Sequence, residues 1–378
     1  MASIQKRPDG QWRARYRDAA GKEHSKHCAR KVDAQQWLDG VITAVTTGTY
    51  ADPKAGRETF AAWSEPWLRR QAALSGLKPT TVAGYESMLR SRILPRWGAV
   101  PLGSITYEAA EGWVAGLLDS GLSASSTRQS YHLFAAILDS AVKAKRLGRN
   151  PANGVDLPPL RSAERRYLTH GQVADLAGAC GPDDGLVVLL LAYTGLRWGE
   201  MAAIRARRVA PGARRIEIAE AVGVVNGRVV FGTPKTHQRR MVPVPAFLRD
   251  RLSERLAARQ PEDLLFTSPT GAPLRGNNFR RRHFDRAATD IGLEGLVPHE
   301  LRHTAASLAI ASGASVKAVQ SMLGHSSAAM TLDRYGHLYA DELDTVADRL
   351  HEAATRILAD SLRTESRVVP LTQGETAV

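Results

Sequence analysis

Residues 150–159 (NPANGVDLPP) limit what can fold together in this chain. Three prolines and a glycine within ten residues cannot continue a helix. Proline lacks the backbone N–H, and its ring collides with the preceding turn. Before this segment the apolar pattern is almost entirely helical; after it the pattern is mixed. At 378 residues the chain is long enough for two or three domains. A hydrophobic content of 43% and a charged content of 24% are ordinary for a folded protein. The fold class read from this is multidomain, mainly α with small β-sheets.

Residues 2–50 read as a small sheet capped by a helix. Over 11–17 the residues alternate: Arg13, Arg15 and Arg17 share one face of a strand, and Trp12, Ala14 and Tyr16 the other. A turn at 18–21 lets 22–27 return as a second strand. A helix over 33–47 would bury Trp37, Val41 and Val45. A polar linker follows at 52–58. Four helices are then predicted, over 63–74, 79–93, 106–118 and 123–144. The last buries Tyr131, Leu133, Phe134, Ile137, Leu138 and Val142. The domain boundaries are therefore placed at 1–55 and 59–150.

A mixed α+β domain is placed at 160–340. Helices are expected near 169–178 and 185–194, then from Arg197 on, and later over 276–291, 299–312, 315–323 and 328–339. Residues 214–244 read as strands, with Asn226-Gly227 as a two-residue hairpin turn between 216–225 and 228–231 and a second, basic turn at 233–239 before 241–244. Residues 341–362 form an acidic amphipathic helix, with Leu343, Val346, Leu350 and Ile357 at helical spacing. Residues 363–378 lack periodicity and are read as a disordered tail.

The net charge of +13 favours a polyanionic partner. Lys+Arg outnumber Asp+Glu by 11 to 7 over 1–60, 11 to 6 over 61–155 and 25 to 17 over 156–340, but not over the last 38 residues. A basic excess spread this widely points to DNA contacted by several domains; a generically basic proteome accounts for the same excess. The arginine face of 13, 15 and 17 can enter a DNA groove or serve as a solvated face. Lys143, Lys145, Arg146 and Arg149 crowd the end of a helix, where they can meet phosphates or complement its C-terminus. Cys28 and Cys180 flank no spacing motif, which argues against a disulfide framework. The N-terminus has no apolar core like that of a signal peptide, and the longest apolar run, 186–193, is far short of a bilayer span. A soluble, intracellular protein is expected.

The second half carries Arg197, Lys235, His299, Arg302, His325 and Tyr335, in TGLRWGE, TPKTH, HELRH, LGH and TLDRYGHL. Together these are the side chains that metal-free breakage of a DNA phosphodiester requires. Arginine's planar fork bonds two phosphate oxygens at once and stays protonated. Arg197 and Arg302 are the candidate clamps, Arg197 at the mouth of a helix whose N–H groups also favour anions. Glu200, one helical turn on, can orient Arg197. A tyrosine can attack phosphorus, given help with a phenol pKa of about 10. Tyr339 is a rival nucleophile one turn after Tyr335.

At these residues the sequence resembles the tyrosine recombinase family, specifically the phage-type integrases. All six positions match, and ten residues separate His325 from Tyr335 as in the family. The resemblance implies that Tyr335 forms a 3′-phosphotyrosine and frees a 5′ hydroxyl. Within it His299 accepts a proton, Lys235 is the general acid and His325 bonds the phosphate. The covalent bond conserves the broken bond's energy, so no cofactor is implied. The resemblance makes 1–55 an arm-type DNA-binding module, 59–150 a core-binding domain and 160–340 the catalytic domain. The proline segment then joins two halves of a clamp on the duplex. It also implies double-stranded attachment sites, a homotetramer on DNA with 341–362 docking on a neighbouring subunit, and no membrane. A DNA-bending host factor and a directionality factor are possible companions, in the cytoplasm at a bacterial nucleoid. The expected function is site-specific recombination for phage or mobile-element integration and excision. Alternatives are a dimer-resolving or transposon-borne recombinase, and a DNA-binding protein with an inactive recombinase fold. A type IB topoisomerase shares the nucleophile but not this layout.

HELRH also matches the H-E-x-x-H zinc signature. Arg302 would sit beside the dication, and Ala306 and Ala309 stand where the extended pattern needs Gly and His. No metal site is therefore assigned, and His303 is read as a packing or supporting residue.

Overall fold

The computed structural model describes all residues except 1, 18–20, 48–49, 51–54, 161–165, 235–238, 340–341 and 366–378; the side chains of 342–345 and 360–365 are also outside the description. Two compact units form, Met1–Ala163 and Glu164–Val378. Their border lies just past the proline-rich segment.

The first unit opens with an antiparallel sheet of β1 (Ser3–Lys6), β2 (Trp12–Arg17) and β3 (Glu23–Cys28) in that order. Strand β1 was not predicted, because SIQK is too short and polar to show alternation. Ala14 and Tyr16 on β2 are buried under α1 (Lys31–Thr46), where Tyr16 packs against Trp37 at 5.6 Å. The helix buries Ala34 and Leu38; Trp37 and Val41 are half-buried and Val45 is exposed. A 16-residue helix spans about 24 Å and a six-residue strand about 20 Å, so the last turn with Val45 overhangs the sheet.

The rest of the unit is helical. Thr59, Thr106 and Ser123 cap α2 (Phe60–Leu74), α5 (Tyr107–Asp119) and α6 (Ala124–Lys143) with side-chain oxygens. Between α2 and α5, α3 (Pro79–Met88) passes through a π-helical turn (Leu89–Ile93) into α4 (Leu94–Trp97). Pro95 explains that widened turn: it brings no N–H, and its ring would strike the carbonyl four residues back. At the core, Phe134 is fully buried among Trp97, Trp113 and Phe60, with ring centroids 4.9, 5.1 and 5.3 Å away. The start of the proline segment is tied back onto α6: Asn150 donates to Asp139 Oδ1 (2.7 Å) and the Ala135 carbonyl (3.0 Å), and Tyr131 donates to the Ala152 carbonyl.

The second unit is built around α8 (Gly181–Thr194), whose Leu186, Val188, Leu190 and Leu191 are buried. It follows α7 (His170–Ala179), started by a Thr169/Gln172 capping box, and precedes the one-turn α9 (Trp198–Met201). The long first strand predicted over 216–225 is broken in two, and the last strand pairs with its first part. β4 (Arg215–Ile218) pairs with β7 (Arg240–Pro243), and only β5 (Ala221–Val225) and β6 (Arg228–Gly232) flank Asn226-Gly227. That turn has φ of +49° and +76°, the backbone this dipeptide favours. The strand breaks at 219–220, where Glu220 accepts from Arg205 Nε (3.2 Å). Helix α10 (Ala246–Ala257) was missed in sequence because its apolar stripe, Leu248, Leu252 and Leu256, is interspersed with charge.

Helix α11 (Gly276–Phe279) runs through a π-turn (Arg280–Phe284) into α12 (Asp285–Asp290). Then come α13 (Glu300–Ala311), α14 (Val316–Leu323), α15 (Ala328–Tyr335), a 3-10 turn (Gly336–Tyr339) and α16 (Glu342–Glu365). Helix α16 extends past the predicted end at 362, with no glycine or proline to stop it before Pro370. The tail predicted as disordered otherwise lies outside the described residues. Among the described residues, no helix is long and apolar enough to cross a membrane.

Truncating Phe134 to Ala should cost about 3–5 kcal/mol, since three surrounding aromatic rings cannot collapse into the space. Thermal or urea unfolding of the full chain measures this. Phe134→Leu should lose much less; equal losses would show that ring packing is not what the core depends on.

Candidate active site

Helix α8 ends at Gly195 in the left-handed region, φ +65°. The chain then turns so that Arg197 caps α9 and Glu200 lies in that helix's single turn. Glu200 is 1% exposed. It accepts from the Arg197 backbone N–H (3.1 Å) and from Arg197 Nη1 (2.8 Å). The N–H expected to favour an anion is thus occupied by Glu200, leaving phosphate binding to the guanidinium. Glu200 also takes both forks of Arg240 on β7, Nη1 at 3.1 Å and Nη2 at 2.6 Å. Burial opposes ionisation of this carboxyl, but Arg240's hydrogen bonds and charge, with Arg197's, outweigh it and hold the pKa below the usual range.

Arg302 sits on the first turn of α13 and is buried. Two of its N–H donors go to carbonyls, Nη1 to Gly195 and Nη2 to Leu323 (2.7 Å), which ties the ends of α8 and α14 to α13. Burial, then the charges of Arg197 and Arg240, push its pKa down to about 9; the group is still a cation at pH 7. Close approach requires glycine at both helix ends. A Cβ on Gly195 would lie 2.5 Å from Leu323, and one on Gly324 (φ +64°) 2.9 Å from Arg240. Arg240 Nε also donates to the Met322 carbonyl (3.3 Å), so one arginine braces Glu200 and the end of α14.

His325, just past Gly324, is buried. Its Nδ1 pairs with Thr331 Oγ1 at 2.9 Å. Its Nε2 is buried with no hydrogen-bond partner among the described residues. Burial first, then Arg302, lower its pKa to about 4, so the ring is neutral at pH 7. It stacks parallel to the Tyr335 ring, centroids 6.4 Å apart. Tyr335 ends α15, fully buried with Ala306, Ile310, Val319 and Leu323. Its hydroxyl lies 2.8 Å from Nδ1 of His303. His299, at the N-cap of α13, meets His303 edge-on at 5.4 Å.

The structure thus brings together Arg197, Glu200, Arg302, His303, His325 and Tyr335, with His299 against His303. Lys235 lies outside the described residues. Tyr339, the rival nucleophile, packs against the same cluster as Tyr335 from the turn beyond it. Glu300, base of the competing zinc motif, accepts from the Val297 N–H at 2.8 Å, in the turn that leads into its own helix. On β2, Arg13 pairs with Glu23 (3.4 Å) and Arg15 donates to Ser3 Oγ (2.8 Å), while Arg17 is exposed. Lys143, Lys145 and Arg149 are exposed; Arg146 lies over Trp63 and 3.8 Å from Glu58.

Sequence reasoning missed Arg240, since no spacing rule joins it to Glu200 forty residues away. A signal was present: strand alternation sets Arg240 on the same face as Val242, which is buried. An inward arginine needs a buried carboxylate.

Residues 166–342 match the model described as the phage integrase family. The chain is 28% identical to an integrase of Mycobacterium phage D29 over 338 residues, 86% of this chain and 88% of the relative. In fold it is similar to the Tn1549 transposon integrase in complex with a circular intermediate DNA (TM-score 0.66, 20% identity, covering 77% of this chain and 99% of that one). A lambda integrase tetramer bound to a Holliday junction aligns with TM-score 0.58 at 21% identity, covering 86% and 95%.

Replacing Arg240 with Ala should destabilise the protein by about 3–5 kcal/mol at pH 7, because Glu200 stays buried with less compensation. The depressed pKa of Glu200 contributes stability above the unfolded value of about 4.3 and loses it as pH falls through the folded value. Urea unfolding should therefore show the gap between wild type and variant narrowing below about pH 4. A gap independent of pH would mean that Arg240 acts through packing alone.

Proposed function

We propose that Tyr335 is the nucleophile and Arg197, Arg302 and His325 the phosphate clamp of a site-specific DNA recombinase of the tyrosine class, the class that the phage integrase match over residues 166–342 and the integrase relatives support. The observation that carries this reading is the orphaned His325 Nε2. A buried nitrogen without a partner among the described residues, its ring stacked on a tyrosine, is costly unless a further group completes it. A phosphodiester does so. With Thr331 donating to Nδ1, Nε2–H points a donor at a phosphate oxygen, and the arginines supply charge where the transition state gains it.

In this reading the Tyr335 oxygen attacks phosphorus, the P–O5′ bond breaks and the DNA 3′ end stays on the enzyme. Lys235, from its place in the resemblance, protonates the leaving 5′ oxygen. Tyr335 is fully buried, so DNA docking has to uncover its hydroxyl. The attacking 5′ hydroxyl of another strand reverses the step, which integrates or excises mobile DNA at attachment sites. Strand exchange joins two duplexes and uses four active sites, so the working form is a homotetramer on DNA. Helix α16 suits docking between subunits: of the anchors expected on it, Val346, Leu350 and Ile357 are exposed, 46% to 71%, while the side chain of Leu343 lies outside the described residues. The sheet of residues 3–28 would bind distal arm DNA, and Lys143, Lys145 and Arg149 phosphates of the core site. A DNA-bending host factor and a directionality factor complete this reading, which places the protein at the bacterial nucleoid.

The test is covalent trapping. Incubated in EDTA with a nicked half-site of its attachment DNA, the wild type should leave an SDS-resistant adduct. Tyr335→Phe should bind the same DNA and leave none. Arg302→Lys should slow adduct formation by about 10²–10³-fold. An adduct retained by Tyr335→Phe removes that residue from the mechanism. An adduct that forms only with added zinc would move the chemistry to the HELRH segment.

A further inference from the structure

A phenol attacking phosphorus must lose its proton, and the resemblance gives the receiving role to His299. The structure places a second imidazole at the nucleophile. The Tyr335 hydroxyl is 2.8 Å from His303 Nδ1, within the ordinary range for such a bond. His299 stands exposed at the N-cap of α13 and packs its ring edge-on against His303. His303 is half-buried and directly follows Arg302. The helix therefore presents a phosphate-binding cation and an imidazole in successive residues, the imidazole against the tyrosine oxygen.

We propose that His303 is a catalytic residue of this recombinase, taking the phenolic proton of Tyr335 onto Nδ1 as the tyrosine oxygen attacks the scissile phosphodiester. The proposal rests on Tyr335 being the nucleophile. The step balances within the residues named. The Oη–P bond forms as Oη–H breaks toward Nδ1, and the electron pair of the P–O5′ bond leaves on the 5′ oxygen, which gains a proton from the general acid. In religation His303 returns its proton to Oη as the phosphotyrosine bond breaks. Nδ1 can accept only in the neutral tautomer with the proton on Nε2. A nitrogen within hydrogen-bond reach of the oxygen meets the first requirement of a general base, provided the pair stays together when DNA docking uncovers the hydroxyl. His299, in edge contact with the His303 ring, is then a positioning residue.

Two variants separate proton transfer from mere holding. Asn at 303 sets an amide oxygen near the position of Nδ1, so it keeps an acceptor for the phenol but has no basicity. His303→Asn should bind the half-site within about twofold of wild type but form adduct about 10²–10⁴-fold more slowly. Its rate should rise with pH across the range where the wild type has levelled off. His303→Ala should be equally slow and should be accelerated by added imidazole in proportion to the free base. Adduct formation by His303→Asn within about threefold of wild type, with an unchanged pH profile, overturns the proposal. If His303→Asn fails to bind DNA, imidazole rescue of His303→Ala decides, and its absence in a DNA-binding variant also overturns it. An adduct surviving in Tyr335→Phe would instead mean that the choice of nucleophile has failed.

Discussion

Glu200 accepts hydrogen bonds from two guanidinium groups and a backbone N–H while almost wholly out of water, and the site's geometry follows from that. A buried carboxylate is tolerated only when its oxygens are fully engaged. Meeting the requirement fixes Arg197 at the mouth of α9 and draws Arg240 inward from β7. Arg240 in turn holds the end of α14, which aims His325. Arg302 ties the same ends together through carbonyls rather than charge. The candidate catalytic side chains come from separate elements, whose ends Glu200, Arg240 and Arg302 hold together. Loosening one contact should therefore disturb several roles at once.

Fold and site were legible in the sequence to different depths. Helices with strong apolar periodicity and a capping residue, such as α6 behind Ser123, could be placed within a residue or two, because both signals are local. Strand pairing was not local: nothing in 214–244 says that β4 would choose β7 across the intervening hairpin. Helix α10 was hidden by its charge. At the site, residue types in order were enough to name the candidates, since phosphate chemistry restricts them severely. Their partners were invisible. Arg240 meets Glu200 over forty residues, and His303 meets Tyr335 over thirty-two; only the packing of α13 against α15 makes the second contact.

The charges of the site favour an anion. Arg197, Arg240 and Arg302 surround a single buried carboxylate, leaving an excess of two positive charges in a poorly hydrated place. Arg302 and His325 register the excess, both pushed toward their neutral forms, first by burial and then by neighbouring arginines. An anion of the right shape relieves this, and a phosphodiester is one. Binding it favours the protonated forms of both groups, so by linkage DNA grips the site more tightly as pH falls toward the shifted pKa of His325. As attack proceeds and the phosphoryl oxygens gain charge, the same cations are better matched than in the ground state, which is the condition for catalysis rather than mere binding. The phenol belongs to this argument. A proton moved from Tyr335 to His303 turns a neutral pair into an anion attacking phosphorus and a cation one residue from Arg302. In the proposed step that charge separation is stabilised as phosphorus takes up the tyrosine oxygen's charge with an anionic phosphate close by, which would couple activation of the nucleophile to the presence of its substrate.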